Sequence, residues 1–336
     1  MARQPRVSVL LPARNAADTL ELCLASVARQ TEPDWECVAV DDASTDATGE
    51  VLHGFARRDP RLRVVEGEGR GLVAALRRGA EACRAPVIAR MDADDWMHRD
   101  RLRVQLEALE RDPSLVAVGT HVRMFPRSTL SDGRRSYEQW LNSLDSPEAI
   151  ARDAWVECPV AHPTLMIRAS ALSRGGYRDV DWPEDLDLVL RLLGGGERIG
   201  VVPRRLLGWR DHPGRLSRTH ASYGLDRFTA CKAAHLVETF LRQHAEYVLW
   251  GYGPTAKAMR KALLPHGRAP SHIVELHPRR IGRTIHGAPV VAPEGLQRLD
   301  APRVVVSVSG VGPRTRIRVW LTEHGYLEGR DFVCTA

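Results

Sequence analysis

Pro86-Val87-Ile88-Ala89-Arg90-Met91-Asp92-Ala93-Asp94-Asp95-Trp96 is the stretch on which the reading of the fold turns. Pro86 to Met91 is a short, mainly apolar run that reads as a buried strand, and three carboxylates follow at once. Carboxylates crowded on one loop repel one another, so such a cluster persists only where water or a cation shields it. Hard divalent ions take oxygen ligands, and Mg²⁺ in particular combines one or two carboxylates with substrate phosphates. Taken alone, the D-x-D-D pattern fits a solvated acidic turn as well as a metal site. Its position adds information, because open α/β sheets bind ligands just past the carboxyl ends of their strands.

Upstream, Val7 to Leu11 reads as a strand that stops at Pro12, which has no donor for a central ladder. Asp18 and Glu21 have the spacing of a capping box, and Leu20, Cys23, Leu24 and Val27 then recur at helical intervals. Cys37 to Val40 is a second strand ending in Asp41-Asp42, with a helical segment around Val51, Leu52 and Phe55 after it. Leu62 to Val65 is a third strand, separated from Pro86 by the Gly-rich turn Gly67 to Gly71 and a helix through Ala74 to Ala82. Alternation of strands and helices predicts an α/β protein with a mainly parallel sheet. Downstream, Val116 to Val118, Ala161 to Ile167 and Ile199 to Val202 read as strands. Phe125 to Ser146 reads as a surface excursion, and Leu186 to Leu193 as a helix closed by Gly194-Gly195-Gly196.

The order of these motifs resembles the family-2, GT-A-fold glycosyltransferases along most of residues 5 to 220. Val7-Ser8-Val9-Leu10-Leu11-Pro12-Ala13-Arg14-Asn15 looks like that family's opening strand and loop. Val40-Asp41-Asp42-Ala43-Ser44-Thr45-Asp46 resembles its nucleotide-binding loop, and Met91 to Trp96 its D-x-D segment. Gly175-Gly176-Tyr177, followed by Glu184-Asp185-Leu186-Asp187, is similar to its acceptor-side turn and catalytic acidic pair.

The resemblance implies an inverting, metal-dependent transfer of a sugar from a nucleoside-diphosphate sugar, with UDP the preferred nucleotide, to a hydroxyl of a polysaccharide or glycolipid. It implies nucleotide-sugar contacts from Pro12, Arg14, Asn15, Asp42, Asp92, Ala93 and Asp94. Mn²⁺ or Mg²⁺ would be held by Asp94 and Asp95, with His212 of Trp209-Arg210-Asp211-His212-Pro213 completing the set. Asp185 would be the general base that takes the acceptor's proton, with Glu184 the alternative, and His162 and Trp182 would face the acceptor. Structural roles compete at each position: a helix cap for Asp42, a charged helix start for Glu184 and Asp185, a loop histidine for His212. Arg210 and Arg215 are further candidates for phosphate contacts. One departure is Leu76-Arg77-Arg78-Gly79, where the family often has Asn in the helix after its Gly-rich turn, which leaves donor preference open.

A second beginning follows a helical stretch. The predicted organisation is a GT-A domain over 1–221, a helical linker over 222–245 and a small Rossmann-like α/β domain over 246–336. Gly251-Tyr252-Gly253-Pro254-Thr255-Ala256 follows a predicted strand and opens a helix, with Glu275 about 20 residues on, the formal spacing of a dinucleotide fingerprint. An NAD-dependent sugar-nucleotide oxidoreductase is therefore the rival enzyme, and a nonenzymatic nucleotide-sugar-binding scaffold the rival of another class. Neither uses the first domain's acidic loops as fully as a transferase does.

With 43% hydrophobic residues and 27% charged, the 336-residue chain can bury a large core. Its formal net charge of +6 is spread out, which suits anionic small molecules and requires no nucleic acid. The six cysteines form no C-x-x-C pair, so a zinc framework is not expected and a reducing compartment is. Val7 to Leu11 is far too short for a span of about 20 residues, and the Met1 end has no apolar h-region. These features predict a soluble cytoplasmic protein, with peripheral contact at the inner face of the membrane and dimerisation or partner docking through the C-terminal domain compatible with them.

Overall fold

The computed structural model of the chain describes residues 4–336, so the extreme Met1 end lies outside the described residues. The elements begin with β1 (Val7–Ala13), α1 (Ala17–Ala28), β2 (Trp35–Asp41), α2 (Thr48–Arg58), β3 (Leu62–Glu66), α3 (Leu72–Ala82) and β4 (Val87–Arg90). Next are β5 (Trp96–Met97), α4 (Arg101–Arg111), β6 (Leu115–Phe125), α5 (Asp132–Leu141), α6 (Pro147–Asp153), β7 (Met166–Arg168), α7 (Ala169–Ser173), α8 (Glu184–Gly194) and β8 (Arg198–Arg210). The chain continues with α9 (Leu216–Thr219), α10 (Leu225–Glu238), β9 (Glu246–Trp250), α11 (Pro254–Leu263), β10 (Ala269–Val274), β11 (Thr284–Ile285) and β12 (Ala288–Val291). It ends with β13 (Val304–Val306), α12 (Val311–Glu323) and β14 (Phe332–Cys334).

Two compact units emerge. The first takes the residues up to Ala151 with Pro159–Val180 and Gly195–Arg218; the second takes Arg152–Cys158, Asp181–Gly194 and Thr219–Ala336. Within the second unit α8 packs on α10, where buried His235 meets buried Asp187.

The first unit holds an eight-stranded sheet in the order β3-β2-β1-β4-β7-β6-β8-β5. It is parallel from β3 to β4 and between β6 and β8, while β7 runs antiparallel to both its neighbours. The fold is thus mixed α/β. Every residue of β1 and β2 is buried, as a strand covered on both faces requires. Pro12 lies inside β1, opposite Val40, and is not the strand's end. The β1–β4 ladder stops at Leu10 and Arg90, so no β4 acceptor is left waiting for the proton Pro12 lacks.

Other local expectations shift for identifiable reasons. Leu20, Cys23, Leu24 and Val27 of α1 are buried, as their periodicity predicts. Asp18 does not cap the helix, however; Ala16 N–H donates to Thr48 Oγ1 and Ala17 N–H to Asp46 Oδ2, so these amides are satisfied from the start of α2 and the loop before it. The stretch from Phe125 to Ser146 contains α5, and Leu130, Leu141 and Leu144 bury their side chains. Between Ala161 and Ile167 the chain forms a 3₁₀ turn, His162–Thr164, before β7 begins. β8 runs for 13 residues because its exposed Pro203, Arg204 and Arg205 sit beside register shifts in the pairing with β6.

In the second unit the sheet order is β11-β12-β10-β9-β13-β14, parallel except for β11. Tyr247 and Leu249 of β9 enter one apolar cluster, and Val248 and Trp250 the other, so both faces are covered. Among the described residues no helix is long and apolar enough to cross a membrane.

Candidate functional site

The acidic turn hangs from the end of β4 and is held from below. Met91 N–H makes the last bond of the β1–β4 ladder, to Leu10 O at 3.0 Å, and Asp95 N–H closes the turn on Asp92 O at 3.3 Å. Arg101, fully buried at the start of α4, donates through Nη2 to Arg90 O at 2.8 Å, through Nε to Gln105 Oε1 at 2.9 Å and through Nη1 toward Met91 Sδ at 3.4 Å. Burial, and then the charge of Arg90, push its guanidinium down to about 9. Lysine cannot reproduce this fork. Arg101→Lys is therefore expected to cost about 1–3 kcal/mol of stability by leaving buried acceptors unpaired, read as a lower urea midpoint; an unchanged midpoint would mean that the fork is not needed.

The three carboxylates differ. Asp92 pairs with the buried guanidinium of Arg90. Burial acts to raise its pKa, but Arg90, assisted by His162 and Arg215, outweighs that and holds it low. Asp94 is pushed up by burial and by Asp92 despite Arg215 and His212, whose Nε2 lies 3.1 Å from Asp94 Oδ2. Asp95 is pushed up much further by burial, Asp94 and Asp92. Its Oδ1 accepts from Arg210 N–H at 2.7 Å, while Oδ2 is buried with no hydrogen-bond partner.

Oxygens from Asp92, Asp94 and Asp95 all lie within 4.8 Å of one another. An orphaned buried oxygen beside two further carboxylates, with a half-exposed imidazole at their edge, fits a Mn²⁺ or Mg²⁺ ion by donor type.

Around the turn stand arginines. Arg210 lies over the Phe125 ring and donates from Nε to Asp94 O at 2.8 Å; Arg215 lies over Trp209. Asp211 is gripped by Arg218 Nη2 at 2.7 and 2.8 Å, with Arg134 Nε of α5 at 3.5 Å.

The loops after β1 and β2 are tied together. Asn15, at a φ of 49°, accepts at Oδ1 from Thr45 N–H at 2.8 Å, and its own N–H donates to Ser44 Oγ. Asp42 is buried but caps no helix: its two oxygens accept from Gly69 and Gly71 N–H, each at 2.9 Å. Gly69 and Gly71 have φ of 70° and 92°, and a Cβ at Gly67 would come within 2.8 Å of Asp42 Cα. Glycine is therefore required for this turn to close on the carboxylate. Exposed Arg14 donates to Gly69 O at 3.2 Å with Asp42 Oδ2 at 3.6 Å. Pro12 is buried inside the sheet. Ala93 is buried, with its carbonyl accepting from Thr19. Arg77 and Arg78 are exposed, and Arg78 reaches Glu68.

His162 is buried and bonds through Nε2 to Tyr177 Oη at 2.9 Å. In the second unit, Trp182 Nε1 donates to Asp187 Oδ1 at 3.1 Å. Glu184 is 4% exposed, and its Oε2 accepts from Tyr223 Oη at 2.6 Å; Asp185 is more open, with Oδ1 accepting from Leu186 N–H. At the other sheet, Gly251 follows β9 at a φ of 90° and α11 starts at Pro254, but Glu275 is already engaged by Arg280 at 2.8 Å.

Sequence reasoning passed over Arg90, Arg101, Arg134, Asp211, Tyr223 and His235. A lone arginine closing an apolar strand and an Arg101-Gln105 pair one helical turn apart were the available signals for the first two. For the others only tertiary packing supplies one.

Known proteins share this architecture. EpsE of Bacillus subtilis (strain 168), which bears a glycosyltransferase name, is 29% identical over 242 residues, 69% of this chain and 84% of its own length. Chondroitin synthase of Escherichia coli is 28% identical over 57% of this chain, which spans 27% of that protein. Among solved structures, S. aureus TarS 1-349 in complex with UDP matches with a TM-score of 0.55 at 16% identity, over 78% of this chain and 71% of that one. The mannosyltransferase PcManGT from Pyrobaculum calidifontis, in complex with GDP-Man and Mn²⁺, matches with a TM-score of 0.52 at 25% identity, over 79% and 70%. The family profile described as Glycosyl transferase family 2 matches residues 8–176, which run from β1 through the acidic turn to the Gly176 turn. The chain belongs to glycosyl transferase family 2, and it is a glycosyltransferase.

Proposed function

We propose that the chain transfers a sugar, with inversion, from a UDP-sugar to a hydroxyl of a polysaccharide or glycolipid, in a reaction that depends on a divalent metal. The observation that carries this reading is the buried, unpartnered Oδ2 of Asp95 beside Asp92 and Asp94. An oxygen in that position is costly unless a cation completes it. TarS with UDP and PcManGT with GDP-Man and Mn²⁺ support the donor class and the metal.

Asp94, Asp95 and His212 would hold Mn²⁺ or Mg²⁺, which when bound stabilises negative charge on the departing diphosphate. Arg14, Asn15, Asp42, Asp92 and Ala93 would form the nucleotide-sugar side, with Pro12 fixing the backbone of β1 that leads into it. Asp42, already holding two amides, retains acceptor capacity for a base N–H. Arg210 and Arg215 would add positive charge toward phosphate oxygens. Asp185 would take the acceptor proton, and His162 and Trp182 would frame the acceptor. Glu184 is the weaker base because Tyr223 occupies it. The 246–336 segment would act as a packing, dimerisation or docking module, and contact with the inner face of a membrane would bring a lipid-linked acceptor within reach.

Thermal-shift measurements with UDP-, GDP- and dTDP-sugars, with and without Mn²⁺, test the proposal. A rise in melting temperature with a UDP-sugar and Mn²⁺ together, larger than the sum of the two alone, is the expected result. Stabilisation by NAD, with none by any sugar nucleotide, would instead favour the oxidoreductase.

A further inference from the structure

We infer that Tyr223 and His235, both beyond the residues that match the family profile, are positioning residues that set the aim of Asp185. The inference rests on the proposed role of Asp185 as the base. Two anchors three residues apart on α8 carry the argument. At the first, Glu184 is buried and its Oε2 accepts a 2.6 Å hydrogen bond from the Tyr223 hydroxyl, a length typical of a charge-assisted O–H donor. At the second, Asp187 is fully buried and accepts from Trp182 Nε1 and His235 Nε2, each at 3.1 Å on Oδ1, and from Arg191 Nε at 2.8 Å on Oδ2. An ionised carboxylate only accepts, so Nε2 of His235 carries the proton. Cys231, one turn before His235 on α10, lies within 4.8 Å of the same groups, but the three donors already engage both Asp187 oxygens.

Residues three apart share one side of a helix, whereas the residue after the first is turned by about 100°. Fixing Glu184 and Asp187 therefore fixes the rotation of the first turn of α8. Asp185, between them and part-buried, takes its direction from that turn, with its Oδ1 accepting from Leu186 N–H. A proton acceptor must meet its hydroxyl within hydrogen-bond reach, so loosening the turn should slow transfer more than it weakens donor binding.

The test follows UDP release from UDP-glucose, UDP-galactose and UDP-N-acetylglucosamine with Mn²⁺, for Tyr223→Phe, His235→Ala, His235→Gln and Asp185→Asn. Tyr223→Phe removes one oxygen and with it a donor to the buried Glu184, so a melting temperature lower by a few degrees is expected, and well below that temperature a kcat about 10-fold lower with donor KM within twofold. His235→Ala should lower kcat at least as much, and His235→Gln, whose amide can still donate to Asp187, should recover several-fold of that loss. Wild-type kcat in Tyr223→Phe, or equal kcat in His235→Ala and His235→Gln, would overturn the positioning role while Asp185→Asn is inactive. Full turnover in Asp185→Asn would instead remove the base assignment itself.

Discussion

Replacing Asp185 by asparagine is expected to lower turnover by about 10²- to 10⁴-fold, the range over which a positioned general base contributes. Asparagine has nearly the same shape and can still accept at Oδ1 from Leu186 N–H, so the first turn of α8 should keep its form. It cannot take up the proton that an attacking hydroxyl must lose. Because the substitution leaves the acidic turn of the first unit untouched, the thermal shift produced by a UDP-sugar with Mn²⁺ should persist. Glu184→Gln makes the instructive comparison. That side chain is buried beneath the Tyr223 hydroxyl, and the amide can still accept from Tyr223, so a smaller loss is expected. Should Glu184→Gln be the inactive variant and Asp185→Asn the active one, the roles of the two carboxylates would be reversed.

The parts of the molecule that sequence could disclose are those whose physics is local. β1 and β2 are legible because a central strand covered on both faces needs an unbroken apolar run, and α1 because its buried stripe repeats every three to four residues. The acidic turn is legible because few local structures place three carboxylates after a buried strand. What stays hidden is tertiary. No property of Asp42 foretells that its two oxygens face Gly69 and Gly71, since the partners lie 27 and 29 residues away. The satisfaction of the Ala16 and Ala17 amides by Thr48 and Asp46 is invisible for the same reason, and the local capping-box spacing misleads. α5 escapes notice because its sequence is crowded with Arg and Ser, and its inward side mixes Tyr137, Glu138, Trp140 and Leu141 without a clean apolar stripe. The gap is widest in the second unit, where Tyr223 and His235 carry no motif and gain meaning only through the residues they touch on α8.

Asp95→Asn is expected to stabilise the metal-free protein while abolishing its response to Mn²⁺. Ionised Asp95 keeps one buried oxygen unpartnered and lies beside two other carboxylates, and its raised pKa records that cost. In the variant, Oδ1 can still accept from Arg210 N–H, while the amide places a donor where the unpartnered oxygen stood and faces Asp92 and Asp94. Relief of a buried unsatisfied acceptor amounts to about 1–3 kcal/mol, or a melting temperature higher by several degrees. The sign with pH is fixed by the direction of the shift. A carboxyl whose folded pKa is raised contributes stability fully below its unfolded value of about 3.9 and loses it as pH rises through the folded value. The advantage of Asp95→Asn over wild type should therefore be greatest at neutral to alkaline pH and shrink on acidification, as wild-type Asp95 takes up its own proton. Added Mn²⁺ should raise the melting temperature of wild type by mass action and leave the variant unmoved, so that the two curves converge or cross as the ion is titrated. A variant no more stable than wild type without metal, or one that still responds to Mn²⁺, would show that the unpartnered oxygen is not kept for a cation. The expected pair of results, stability gained and ion response lost, is what distinguishes a carboxylate retained for binding from one retained for the fold.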